Sequence, residues 1–106
     1  TTSDTEVLLK LAARDGVACV NALRGMFAFA YWDDRAGRLL VARDRLGKKP
    51  FYYAVDGGCL YFASAFDALR RALPHAARDV DVAALEQYLA LGYVPAPATI
   101  FRGVSK

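Results

Sequence analysis

Only a few side chains in this sequence stand where their type and spacing would let them do chemistry. Ser3-Asp4-Thr5-Glu6 sets two carboxylates in a short run. Asp4 complements the positive end of a helix dipole, and as an exposed carboxylate it is also a hydrogen-bond acceptor. Arg43-Asp44-Arg45 concentrates charge at what reads as a strand end, a place where sites are often built. An ion pair fixing that corner, with Gly47 supplying a positive φ and Pro50 starting the next strand, explains the same residues. Gly47-Lys48-Lys49 has the outline of a phosphate loop, but the glycine such a loop needs five residues earlier is missing, position 42 being alanine. Cys19 and Cys59 are isolated, with no Cys-x-x-Cys pair and no nearby histidine, so both are expected to be buried small hydrophobes and no metal site is expected. His75 follows Pro74 alone and reads as a solvated loop residue.

The elements that must position these residues follow from periodicity. Ser3 with Glu6 three residues on is a capping box, and Val7, Leu8, Leu11 and Ala12 recur at helical spacing, which predicts a helix over 4–15 stopped by Gly16. Val17, Val20 and Leu23 predict a second, short helix over 17–24 before Gly25. From 25 to 32 aromatics alternate with small residues. Phe27, Phe29 and Tyr31 then share one face of a strand and Ala28, Ala30 and Trp32 the other, which predicts cover on both sides and more than a two-layer sheet. A turn over 33–37 returns a strand over 38–42, and Asp56-Gly57-Gly58 turns a strand over 51–55 into one over 60–63. Ser64 is placed to cap a helix that Pro74 closes, and Asp81 to cap a last helix with Val82, Leu85, Tyr88 and Leu89 on one face and Gly92 at its end. The prolines beyond Tyr93 predict an extended tail without a packing partner of its own. The order is helices, four antiparallel strands, then helices, an α+β pattern. A well-formed cap at the first residues and the bare tail at the last read as cuts through a larger protein.

Composition narrows the function classes. With 56% hydrophobic residues over 106 positions the chain has ample material for a core. No apolar run nears the roughly 20 residues that cross a bilayer, and no signal-peptide pattern opens the chain, so a soluble, cytoplasmic protein without a membrane partner is expected. The formal charge of +3 comes from arginines dispersed among carboxylates, not from a stripe, so nucleic acid is not expected as a partner. Phe51, Tyr52 and Tyr53 beside two lysines do not have the spacing of an RNA-stacking platform and read as core packing.

Four strings in one order, GMFAFAYWD (25 to 33), ARDRLGKKPFYY (42 to 53), LYFAS (60 to 64) and YLALGYVPAPATIFRGV (88 to 104), together resemble asparagine synthetases. More broadly, the Arg-Asp-x-x-Gly-x-x-Pro element and the Gly-Met-Phe-Ala strand resemble the class II glutamine amidotransferase domain, an N-terminal-nucleophile hydrolase. The resemblance covers essentially the whole chain. It implies that 1–106 is the C-terminal part of such a domain, a portion of a four-layer αββα sandwich, with 93–106 starting the linker to a synthetase domain. In that family a cysteine at the enzyme's first position attacks the glutamine amide while its α-amino group acts as base. Threonine is residue 1 here, and both cysteines have their nitrogens in peptide bonds. The family's carboxylate-binding arginine loop and Asn-Gly oxyanion segment lie upstream of the matched region.

The resemblance therefore implies a fragment of a glutamine-dependent asparagine synthetase, with no catalytic residue in this stretch and no glutaminase activity of its own. By the match of Ser3-Asp4-Thr5-Glu6, Asp4 binds the α-amino group of glutamine. ATP and magnesium are implied for the parent enzyme only, not for this chain. Expected partners are glutamine, the absent N-terminal half, the synthetase domain and, through the exposed edge and apolar faces, a second copy. The other reading is a non-catalytic interaction or dimerisation module derived from a glutaminase domain. Related sequences commonly read Phe-Ala-Ser-Glu where this one has Ala65 and Phe66, so an exposed Phe66 is expected to need a partner surface.

Overall fold

The computed structural model describes residues 3–76 and 78–106. Two helices, two consecutive antiparallel hairpins and two further helices follow one another along it in the order of an α+β fold, and the chain divides into two compact units, Thr1–Lys49 and Pro50–Lys106.

In the first unit, helix α1 runs Asp4–Asp15 as its spacing predicts. Ser3 is extended at φ −83° and ψ 151°, and its Oγ accepts the Glu6 amide at 3.3 Å, serving one of the first-turn amides that have no partner within the helix. The segment expected as a second α-helix is instead a 3-10 helix over Gly16–Asn21. The three-residue recurrence of Val17, Val20 and Leu23 is the repeat of a 3-10 turn, which explains the difference. Cys19 lies on it with no solvent exposure.

Strands β1 (Ala28–Asp33) and β2 (Arg38–Arg43) form an antiparallel hairpin in which Phe29 faces Ala42, Ala30 faces Val41, Tyr31 faces Leu40 and Trp32 faces Leu39. Alternation puts Phe29, Tyr31, Leu40 and Ala42 on one face, which is half-buried. Both helices of the unit lie beside this hairpin. The other face is not covered as expected: Trp32 is 57% exposed, with Leu39 and Val41 also open.

In the second unit, β3 (Tyr52–Asp56) and β4 (Cys59–Ala63) pair antiparallel. Gly57 and Gly58 both take positive φ, 56° and 78°, the geometry a two-residue hairpin turn matched to strand twist requires. The face carrying Ala54 receives α2 (Phe66–Ala72), and Ala54, Leu69, Leu73 and Val104 close into the buried cluster of this unit. Tyr53, Val55, Leu60 and Phe62 on the opposite face stay exposed. Helix α3 (Val82–Leu91) is capped by Asp81, whose Oδ1 accepts the Ala83 amide at 3.0 Å, and ends at left-handed Gly92, φ 79°.

Several expectations change here. Cys59 is exposed, because it sits at the turn end of the β3–β4 hairpin opposite Asp56. Ser64 falls one residue short of the cap position, which Ala65 occupies without a side-chain bond. Phe66 needs no outside partner: its ring meets Tyr52 edge-on at 5.8 Å and stacks on Phe101 at 5.4 Å. Val82, Leu85, Tyr88 and Leu89 are exposed, and α3 buries Ala84 instead. The segment beyond Tyr93 is packed: Val104 is in the core, and Tyr53 and Ser105 exchange both backbone hydrogen bonds at 2.9 Å. His75 Nε2 lies 3.1 Å from Asp56 Oδ2, so it is solvated but partnered.

Candidate functional site

Asp4 is held by the start of α1. Because Ser3 caps the helix from outside its first turn, Asp4 follows at the first helical position with its carboxylate exposed. Glu6 pairs with Lys10 at 2.8 Å one turn further on. Among the described residues Asp4 itself makes no side-chain hydrogen bond and no ion pair, so its carboxylate can accept from a ligand. Thr1 lies outside the described residues.

The Arg43 to Lys49 corner is built differently from the expected ion pair. Arg43 Nε donates to the Lys49 carbonyl at 2.7 Å and its Nη2 donates to the Gly47 carbonyl. Asp44 is 7% exposed, and its two oxygens accept the Lys48 amide at 2.9 Å and the Lys49 amide at 3.0 Å. The Lys49 amide, then the Lys48 amide, hold the Asp44 carboxyl below the ordinary aspartate range. The Asp44 amide in turn donates to the Phe27 carbonyl at 2.8 Å, tying the corner to the entry of β1. Arg43 and Asp44 are thus each spent on backbone. The fit explains Gly47, at φ 61°, over which the Arg43 guanidinium lies so closely that a Cβ would approach its Cζ to 2.9 Å.

Two of the cavities among the described residues carry polar groups near these elements. One of about 600 Å³ in the second unit is lined by Tyr52, Phe66, Leu85, Tyr88, Tyr93 and Lys106, among others. Lys106 Nζ donates to the Val94 carbonyl at 2.6 Å, and Thr99 Oγ1 donates to the Val104 carbonyl at 2.7 Å. Sequence reasoning missed this cavity, because it took the tail to be unpacked; the aromatic residues at 88 and 93 were the available signal. The other, of about 480 Å³ in the first unit, lies between the 3-10 helix and the Arg43 to Lys49 corner. Cys19 is closed to solvent, and Cys59 lines neither cavity.

A family profile for the glutamine amidotransferase domain matches residues 1–106. Asparagine synthetase (glutamine-hydrolyzing) 3 of Bacillus subtilis is 42% identical over 106 residues, which cover 99% of this chain and 17% of that protein. Asparagine synthetase (glutamine-hydrolyzing) 1 of the same organism is 40% identical over 108 residues, covering 100% of this chain and 16% of that protein. The chain thus spans less than a fifth of the length of these two relatives.

Proposed function

This chain belongs to the glutamine amidotransferase domain family, and we propose that it is part of the glutaminase half of a glutamine-dependent asparagine synthetase, with Asp4 receiving the α-amino group of glutamine. The observation that carries the reading is the exposed, uncommitted Asp4 carboxylate in the first turn of α1. A carboxylate is an acceptor-only group, and an ammonium presents three donors, so the pair is charge-assisted. The two hairpins with their flanking helices are, on this reading, portions of a four-layer αββα sandwich, and their exposed apolar faces are the inner faces of its sheets.

On this reading amide cleavage is the work of an amino-terminal thiol of the whole enzyme, and no residue of this stretch is proposed as the nucleophile. What its own residues do is orient the substrate: Asp4 fixes the amino end so that the side-chain amide points to the nucleophile. On the same reading ATP and magnesium serve the synthetase part of the parent enzyme. The Lys48 and Lys49 amides are bonded to Asp44.

The test is Asp4→Asn in the full-length protein. A charge-assisted bond lost without refolding the helix raises the KM for glutamine about 10- to 100-fold, while activity with free ammonia in place of glutamine is unchanged. An unaltered KM for glutamine removes Asp4 from the site. The second reading, a non-catalytic interaction module, is favoured by the open Trp32, Leu39 and Val41 face. It predicts that a partner is retained when glutaminase activity is absent from the full-length protein.

A further inference from the structure

The cavity in the first unit combines charges and apolar surface in a way the glutaminase reading does not use. Arg24 at the exit of the 3-10 helix and Arg45 and Lys48 of the corner bring three cations to its wall, and Asp44 brings one carboxylate. Asp44 is already bonded to the Lys48 and Lys49 amides. Among the described residues, the Arg24, Arg45 and Lys48 side chains make no hydrogen bond and no ion pair. The lining residues therefore sum to a net charge of two positive units, and the three cationic side chains are uncommitted. The rest of the lining is apolar, from Val20, Leu23, Met26, Phe27 and Leu46. Met26 is 59% and Leu46 82% exposed, unusual cost for large apolar side chains with nothing over them.

From this juxtaposition we propose that the cavity between the 3-10 helix and the Arg43 to Lys49 corner binds a small phosphate monoester, its phosphate held by Arg24, Arg45 and Lys48 and its organic body against Met26 and Leu46. A dianion neutralises the wall. Two guanidinium groups present planar forks that match phosphate oxygens, and the lysine supplies a further point charge. The volume, about 480 Å³, lies in the range of small-molecule sites, and it is far more than a bare phosphate fills, so the ester carries an organic group. The phosphate is held by side chains alone, since the corner's amides are taken by Asp44.

Calorimetric titration of the full-length protein with phenyl phosphate tests this, with inorganic phosphate and benzyl alcohol as the two half-ligands. Saturable binding of phenyl phosphate is expected, tighter than either half, weakening as salt is raised. Arg45→Met and Lys48→Met each weaken it about tenfold, whereas Arg71→Met, on α2, leaves it unchanged. Hydrogen exchange read by mass spectrometry localises the ligand: slowing within 20–27 and 44–48 is the expected signature. Absence of saturable binding, equal affinity in the Arg45 and Lys48 variants whose unfolding midpoints match the parent's, or protection confined to other segments each overturns the proposal.

Discussion

At the scale of single residues, the most informative side chain is Asp44. Its carboxylate is held below its ordinary value of 3.8 by the amides it accepts from Lys49 and Lys48. A depressed carboxyl contributes stability that is fully present above the unfolded-state value and is lost as the pH falls through the folded-state value. Asp44→Asn puts an amide donor against one of those backbone donors and leaves it unpaired. The variant is therefore less stable than the parent at neutral pH, and the gap between their denaturation midpoints narrows only below about pH 4. A gap that stays constant into acid would show that the charge of Asp44 is not what the corner uses. The sequence made the corner's importance legible through Gly47 and Pro50. It did not show that Arg43 and Asp44 are each bonded to backbone, because a triplet of alternating charges has the same sequence appearance whether its members pair with each other or with peptide groups. Cys59 illustrates the same limit: its type argues for burial, but its exposure is set by a position at the end of a hairpin.

At the scale of elements, caps and turns were readable because their geometry is local. Ser3, Asp81, Gly92 and the Gly57-Gly58 turn all stand where the sequence placed them. What failed was set by tertiary contact: Phe66 stacks on Phe101, from far along the chain, and α2 begins at Phe66 with Ala65, not Ser64, at its cap. Glycines separate the two kinds of constraint. Gly57 has φ 56° and open space around a would-be Cβ, so Gly57→Ala bears only the left-handed backbone cost, about 1 to 2 kcal/mol. Gly47→Ala bears that cost and must also displace the Arg43 guanidinium, releasing its bonds to the Gly47 and Lys49 carbonyls. Chemical denaturation should rank Gly47→Ala below Gly57→Ala, with a further loss of about 1 kcal/mol. Equal losses would mean that Arg43 moves aside freely. Gly103→Ala is harder still to absorb, because the new Cβ would meet the Ala76 carbonyl oxygen at 2.6 Å and that neighbour is backbone.

At the scale of the molecule, each unit carries a hairpin with helices on one side only. The α+β order was legible from periodicity, but the sequence could not say which apolar face each element would bury. On a strand whose two faces are both apolar, and on α3 with its outward Leu85, Tyr88 and Leu89, period alone has no polar side to exclude. The cores are correspondingly small. In the second unit Ala54, Leu69, Leu73 and Val104 are the buried cluster, so Leu73→Ala removes a large share of it and should cost about 2 to 5 kcal/mol by thermal or chemical unfolding. The open faces, Trp32, Leu39 and Val41 on one hairpin and Tyr53, Val55, Leu60 and Phe62 on the other, stand in water, and contiguous apolar surface of this kind drives association. Sedimentation of the 106-residue polypeptide should show apparent mass rising with concentration. Trp32→Lys with Val55→Lys, one charge on each open face and neither in a buried cluster, should shift that rise to higher concentration without lowering the unfolding midpoint. If the doubly charged variant associates as readily as the parent, the surface responsible lies elsewhere, and the apolar face of α3 is the next to charge.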